Sequence, residues 1–343
     1  MTGHEIREKF LDFFAERGHR IVFFEWDAPW YAGKHRDLPP HACDYATIHL
    51  FSDWREARAR LRRELRDADA ALLGSYFRPG ILAADFLAHE FPGIRVFYDI
   101  DTPISLKAYR ERGAAEYLRA DQIPLFHIYF SFSGGPALRE LETRFGAPRA
   151  VPLYCAVDPR HHGRRRAHPD YRCAVGYMGT YARDRQAALD RLLNEPARRR
   201  PRLRFIVAGP KYPARIRWPA NVRRFEHIPP PRHAAFYSSS RITLNLTRAE
   251  MRRWGWSPSV RIFEAAACGA AIASDSWPGL DQILQPRTEI LPARSADDIL
   301  ADLELSDAEL RTIGEAARAR ILAHHTTTAR AAQFERELER VRP

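Results

Sequence analysis

The sequence predicts an α/β protein made of two doubly wound domains, each on a mostly parallel sheet. Three observations carry this expectation. Short runs rich in β-branched and aromatic residues alternate with helical runs along the whole chain. At 343 residues the chain is long enough for two domains of ordinary size. The alternation breaks once, at Leu153-Tyr154-Cys155-Ala156-Val157-Asp158-Pro159. There a strand ends, proline interrupts the pattern, and polar His- and Arg-rich sequence runs to Asp170 before a new strand opens near Tyr171. The expected division is 1–155, 156–325, and a C-terminal helix over 326–343 that packs back on the first domain.

In the first half, β-branched and aromatic runs place strands at 20–25, 45–50, 70–74, 95–100, 127–131 and 150–154. Helices fill 5–17, 54–66, 80–89, 102–112 and 136–145. The helix over 54–66 mixes Arg and Glu at helical spacing, the mark of a solvated face. Asp101-Thr102-Pro103 closes a strand and caps the helix that follows. The second half repeats the scheme. Strands are expected at 173–178, 204–208, 222–225, 242–245, 271–274 and 289–291, and helices at 183–193, 231–238, 259–268, 296–304, 307–323 and 328–340. One feature departs from the plan. A doubly wound domain opens with a strand whose Gly-rich turn leads into the first helix. This chain opens on the helix, with Gly3-His4 as the tail of such a turn. The first domain is therefore expected to lack its first strand, through a late start site or as a natural variant, leaving an unpaired sheet edge.

Composition narrows the function classes. Hydrophobic residues at 45% and charged residues at 28% suit a globular protein, and no apolar run approaches the length of a membrane span. The start Met1-Thr2-Gly3-His4-Glu5 is no signal peptide. Cys43, Cys155, Cys173 and Cys268 are scattered without metal spacing, a pattern of reduced thiols that points to the cytoplasm. The net charge of +11 comes almost wholly from Arg, since the lysines are only Lys9, Lys34, Lys107 and Lys211. Those arginines lie among acidic residues and no nucleic-acid motif accompanies them, so no nucleic-acid partner is expected and at most weak contact with an anionic membrane.

The most informative stretch is Ser257-Pro258-Ser259-Val260-Arg261-Ile262-Phe263-Glu264-Ala265-Ala266-Ala267-Cys268-Gly269. It reads as a short apolar helix with Pro258 and Ser259 at its start, Gly269 at its stop, and small residues that allow close packing. A carboxylate in such a helix is costly to bury without a partner. A ribose, with two adjacent hydroxyls to donate, would satisfy Glu264. The amides of Ser259 and Val260, with the Ser257 and Ser259 hydroxyls, would offer a seat for a diphosphate. The competing reading is a buried core helix with Glu264 turned to solvent or to an arginine. Asn245, Thr247 and Arg248 follow a strand, and Arg248 either contacts phosphate or pairs with Glu250. Thr180 supplies a hydroxyl to phosphate or serves as a turn residue. Gly209-Pro210 ends a strand and lets the backbone approach a base. Asp99-Ile100-Asp101 has the spacing of a divalent-cation motif. Asp101 alternatively orients an acceptor hydroxyl or acts as its base. The pairs His161-His162 and His324-His325 read as solvated, and His4 as a terminal residue.

Five segments together resemble the two-domain GT-B glycosyltransferases, specifically the CgeB-like group related to glycosyltransferase family four. They are Arg17-Gly18-His19-Arg20-Ile21-Val22-Phe23-Phe24-Glu25, Tyr98-Asp99-Ile100-Asp101-Thr102-Pro103, Gly176-Tyr177-Met178-Gly179-Thr180-Tyr181 with Asp184-Arg185-Gln186, Leu244-Asn245-Leu246-Thr247-Arg248, and Trp256 to Gly269. The resemblance implies two Rossmann-like domains facing across a cleft. It implies a nucleoside-diphosphate-sugar donor held mainly by the second domain, and an unidentified acceptor held mainly by the first. It implies no metal and no cofactor, with retention of anomeric configuration. Arg185 falls at the family's basic phosphate-binding position, where a guanidinium grips two phosphate oxygens. Donor contacts are thus expected from Thr180, Arg185, Gly209, Asn245, Arg248, Ser257, Ser259, Val260 and Glu264, and catalytic roles from Asp101 and Arg185. The chain departs from family four at Trp256, where that family carries a second Glu. This departure favours an alternative, a weakly active or inactive nucleotide-sugar-binding protein.

Overall fold

A computed structural model describes residues 12–27 and 45–342. Its contacts divide into two compact units, Met1–Tyr154 with Thr327–Pro343, and Cys155–Thr326. The start of the expected helix at 5–17, together with Gly3, His4 and Cys43, lies outside the described residues.

The first unit runs α1 (Asp12–Glu16), β1 (Val22–Trp26), β2 (Thr47–Phe51), α2 (Trp54–Glu64), β3 (Ala70–Gly74), α3 (Gly80–Glu90), β4 (Ile94–Asp99), α4 (Thr102–Arg112), β5 (Ile128–Ser131), α5 (Pro136–Thr143) and β6 (Ala150–Pro152). Helix α2 starts where the Asp53 carboxylate accepts from the amides of Arg55 and Glu56, at 2.8 and 3.1 Å. Glu56 in its first turn and Arg62 and Arg63 in its last match the helix dipole. Helix α4 stops at Gly113, whose φ of +71° closes a left-handed cap. The described strands form two parallel sheets, the pair β1–β2 and the row β3–β4–β5–β6. No described strand joins β1 to β3, and Leu72 on the β3 edge is 49% exposed.

The second unit runs β7 (Cys173–Met178), α6 (Arg183–Leu189), α7 (Glu195–Arg199), β8 (Phe205–Ala208), β9 (Val222–Phe225), α8 (His233–Ser239), β10 (Ser240–Asn245), α9 (Ala249–Trp254), α10 (Val260–Ala267), β11 (Ala271–Ser274), α11 (Leu280–Ile283), β12 (Leu291–Pro292), α12 (Ala296–Glu304) and α13 (Asp307–His324). Its six strands lie parallel in the order β12-β11-β10-β7-β8-β9. Val175, Phe205, Val207, Ile242 and Leu244 form the centre of its core with Leu189, Leu192 and Ile299 from covering helices. The chain then returns to the first unit as α14 (Thr327–Val341). There Phe334 meets the rings of Phe14 and Phe130, each at 5.1 Å.

Strands β3, β7, β9 and β11 and helices α4 and α12 fall on their sequence-predicted bounds. Three features escape the prediction. The 3₁₀ stretch Ala120–Leu125 contains Pro124, which reads as a breaker. The helix begun at Arg183 passes through a π-turn at Asp190–Asn194 into α7, whose Pro196 sits harmlessly in a first turn. Helix α9 has six residues and buries none of them, so it carries no apolar period.

Helices α10 and α13 pack at glycine. A β-carbon on Gly314 would lie 2.4 Å from the Gly269 carbonyl oxygen. The substitution Gly314→Ala raises helix propensity by about 1 kcal/mol, yet it forces α13 off the turn that ends α10. We expect a net loss of about 1–3 kcal/mol in stability, measured by urea denaturation.

Candidate functional site

In the second unit the chain passes from β7 to β8 on one side and later enters β10 on the other. The carboxyl ends of β7 and β10 therefore lie side by side where the winding reverses, the place where open parallel sheets bind ligands. The loop after β7 and the first turn of α6, residues 180–185, line a cavity of about 840 Å³ together with Arg248 after β10. Its charged side chains are Arg183, Arg185 and Arg248 against Asp184 alone. Arg185 donates from Nη2 to the Thr180 carbonyl at 2.6 Å, while its buried Nε has no hydrogen-bond partner among the described residues. Asp184 accepts from the Ala249 amide at 2.9 Å, and Arg248 Nε stands 3.8 Å from the same oxygen. Arg248 is thus tethered to Asp184 rather than to Glu250, which Arg253 approaches at 4.0 Å. Such a lining attracts an anion with several oxygens.

A buried network locks the two strand ends together. Asn245 Oδ1 accepts from Ser259 Oγ at 2.6 Å and from Arg261 Nη1 at 2.8 Å, and its amide donates to Ser274 Oγ at 2.9 Å. Arg261 Nε donates to the Met178 carbonyl at 2.5 Å, with the guanidinium 4.9 Å from the Tyr177 ring centre. Ser259 therefore ties α10 to β10 instead of capping its own helix. Ser257 donates to the Gly255 carbonyl, and Val260 opens α10. Beside them Asp275 accepts from the amide and hydroxyl of Thr247. Burial pushes the Asp275 carboxyl above its ordinary range, against the pull of those two hydrogen bonds. Gly209 is required sterically: at φ +138° it passes the Gly179 carbonyl so closely that a β-carbon would lie 2.2 Å from the oxygen.

Glu264 is buried, so it does not turn to solvent. Its Oε2 accepts from the Tyr237 hydroxyl at 2.9 Å, and its Oε1 lies 3.6 Å from His162 Nε2. Burial, then the neighbouring carboxylate, pushes the Tyr237 phenol well above its usual range. His161 is exposed as expected, whereas His162 is buried at 6% exposure, which corrects the solvated reading of that pair. His162, His233 and Glu264 each bring one donor atom within 4.8 Å of the others, the one such cluster among the described residues. Burial pushes the Cys268 thiol, at the end of this helix, up to about 12.

In the first unit, the Asp99 and Asp101 carboxylates accept from different tyrosines. Asp99 is fully buried and accepts from Tyr129 at 2.6 Å and from the Asp101 amide at 3.0 Å, and burial raises its carboxyl. Asp101 stands at the start of α4, but its side chain makes no cap there and instead accepts from the Tyr76 hydroxyl at 2.5 Å. The structure thus brings Thr180, Arg185 and Arg248 to one cavity, and joins Asn245 to Ser259. Glu264, Ser257 and Gly209 do not line that cavity, and Asp101 belongs to the other unit. Sequence reasoning missed Arg261. Its signal was a lone cation inside the same apolar helix whose lone carboxylate was noticed. His162 and Tyr237 came without any sequence signal, because their meeting with Glu264 is tertiary.

Residues 185–336 match the family model described as "Glycosyl transferase-like". Among solved structures, the Anabaena protein Alr3699/HepE in complex with UDP-glucose is similar with a TM-score of 0.68 at 13% identity, over 99% of this chain and 96% of that one. A glycosyltransferase from Rickettsia africae gives a TM-score of 0.67 at 10% identity, over 99% and 96%. The sucrose-phosphate synthase of Thermosynechococcus elongatus gives 0.64 at 13%, over 96% and 91%. A curated alanine–tRNA ligase of Solibacter usitatus is 86% identical over 22 residues, 6% of this chain and 2% of that enzyme, a stretch too short to carry an argument. The chain has the GT-B fold, with two Rossmann-like α/β domains. Among the described residues, no helix is long and apolar enough to cross a membrane.

The network around Asn245 generates a prediction. Asn245→Ala leaves Ser259, Ser274 and the Arg261 guanidinium each short of a buried partner. We expect a loss of about 2–3 kcal/mol in thermal or urea unfolding, larger than for an exposed Asn→Ala elsewhere in the unit.

Proposed function

We propose that this chain is a cytoplasmic glycosyltransferase that moves a sugar from a nucleoside diphosphate sugar to an acceptor hydroxyl without a bound metal. One observation carries the reading: Thr180, Arg185 and Arg248 converge on the arginine-lined cavity at the winding reversal of the second unit. Breaking the glycosidic bond leaves a diphosphate with growing negative charge, and fixed cations aimed at that charge lower the barrier. In this reading Arg185 offers its unpartnered Nε to phosphate and Arg248 adds a second cation. Glu264 receives the ribose hydroxyls in exchange for its contact with Tyr237, and Asn245 and Ser259 hold the α10 N-terminus in place. In the first unit Asp101 orients the acceptor hydroxyl or takes its proton. The family-model match supports the reaction class, and the UDP-glucose bound by the Anabaena protein supports a uridine nucleotide as the first donor to try. Retention, hexosyl transfer and membership of the CgeB-like group rest on the motif resemblance alone.

A second reading, a nucleotide-sugar-binding protein of low activity, has its own observation. Trp256 occupies the place of the acidic residue of family four, at φ +44°, and its indole is fixed by Gln282 at 2.9 Å. Turnover separates the two, and nuclear magnetic resonance of the product's anomeric proton reports retention or inversion.

Arg185→Ala should weaken UDP binding in titration calorimetry by about 10- to 100-fold, the range of one charge-assisted contact, with the melting temperature unchanged. Unaltered affinity would remove Arg185 from the site. For Glu264 the informative change is Glu264→Gln, which keeps a partner for Tyr237. It should lower UDP affinity at least about ten-fold, whereas Glu264→Ala should also cost about 1–3 kcal/mol of stability by stranding the buried Tyr237 hydroxyl.

A further inference from the structure

We infer that the acceptor is a carbohydrate and that Tyr76 is the platform on which its ring stacks, with Asp101 receiving one of its hydroxyls. The inference rests on the glycosyl-transfer reading above and deepens it by naming the acceptor class. Tyr76 directly follows β3 and Ser75, at the carboxyl end of the first unit's larger parallel sheet, where such sheets bind ligands. It is one of few large side chains left open among the described residues, at 52% exposure. Its backbone sits at φ +64°, a region that a bulky side chain rarely enters and that structures maintain mainly at functional sites. The surroundings hold it there. The Ser75 amide donates to the Tyr98 carbonyl at 2.9 Å, and Ser75 Oγ accepts from the Ile100 amide at 3.1 Å, so the preceding residue is clamped to β4.

The side chain is fixed as firmly. Its hydroxyl donates to Asp101 Oδ2 at 2.5 Å. Its ring lies 5.1 Å from that of Tyr117, which is buried and anchored through its hydroxyl to Ser105 at 2.5 Å. Tyr117 cannot move inward, because its backbone is packed on Gly80 so closely that a β-carbon there would sit 2.3 Å from the Tyr117 carbonyl. The result is an exposed aromatic ring, immobilised beside a carboxylate that can accept further hydrogen bonds on its remaining lone pairs.

That pairing selects its ligand. A pyranose presents a face of C–H groups, which stack on an aromatic ring, and an edge of hydroxyls, which donate to a carboxylate. A phosphate or another anion would be repelled by Asp101, and a hydrocarbon would gain nothing from it. A stacked sugar covers the ring face that Tyr76 leaves exposed.

The test is saturation-transfer nuclear magnetic resonance on the full chain with methyl pyranosides of glucose, galactose and mannose and with maltose. UDP binding is measured on the same samples. With the wild type we expect transfer to the ring C–H protons of at least one pyranoside. Tyr76→Ala should weaken that binding about ten-fold, while Tyr76→Phe, which keeps the ring, should retain most of it, and UDP affinity should be the same in all three. An unchanged circular dichroism spectrum and melting temperature show that the variants fold. Absence of pyranoside binding to the wild type, or binding that survives Tyr76→Ala undiminished, overturns the inference. If pyranosides bind through Tyr76 but UDP does not bind at all, the donor reading fails and the carbohydrate platform stands.

Discussion

The second unit depends on a clamp at its winding reversal. One amide oxygen, that of Asn245, receives both the Ser259 hydroxyl and the Arg261 guanidinium, and the same guanidinium reaches back to the Met178 carbonyl. These bonds tie the ends of β7 and β10 to the first turn of α10. A buried cation is costly unless hydrogen-bonded. Arg261 therefore imposes its geometry on everything that touches it, including Gly179, where a β-carbon would come within 2.7 Å of Nη2.

The clamp explains why the cavity lies where it does. Strands β7 and β10 feed residues 180–185 and Arg248 into the same space. Asp184 then holds the Ala249 amide and stands opposite Arg248, so that the two loops face each other in a fixed relation. One turn further along α10, Glu264, Tyr237 and His162 form a buried polar cluster, and α10 meets α13 at a glycine contact. One helix therefore carries the clamp at its first turn and the carboxylate one turn later.

Much of this was legible in the residues. The β-branched runs placed β7 to β11 of the second unit to within two residues, whereas the stretch expected at 289–291 meets β12 only at Leu291. Gly269 marked a helix end, and its backbone there is left-handed. Arg185, expected at the start of a helix after the Gly179-Thr180 turn, lies in the first turn of α6, and Arg248, expected at the end of a strand, follows β10. What the residues did not show was which polar group meets which. Ser259 reads as a cap in sequence, but it spends its hydroxyl on Asn245, 14 positions away. Asp101 reads as a cap too, but a tyrosine 25 positions upstream takes its carboxylate. His162 lies in a polar His- and Arg-rich stretch and is nevertheless buried against Glu264. Each of these choices is made by tertiary neighbours, which local pattern does not encode.

The central claim is that the arginine-lined space at the winding reversal grips the paired phosphates of a nucleotide. Calorimetric titration of the wild-type chain with UDP, UMP and uridine tests it directly. The account predicts that affinity falls about ten-fold or more with each phosphate removed. Uridine binding as tightly as UDP, or no difference between UDP and UMP, would contradict it.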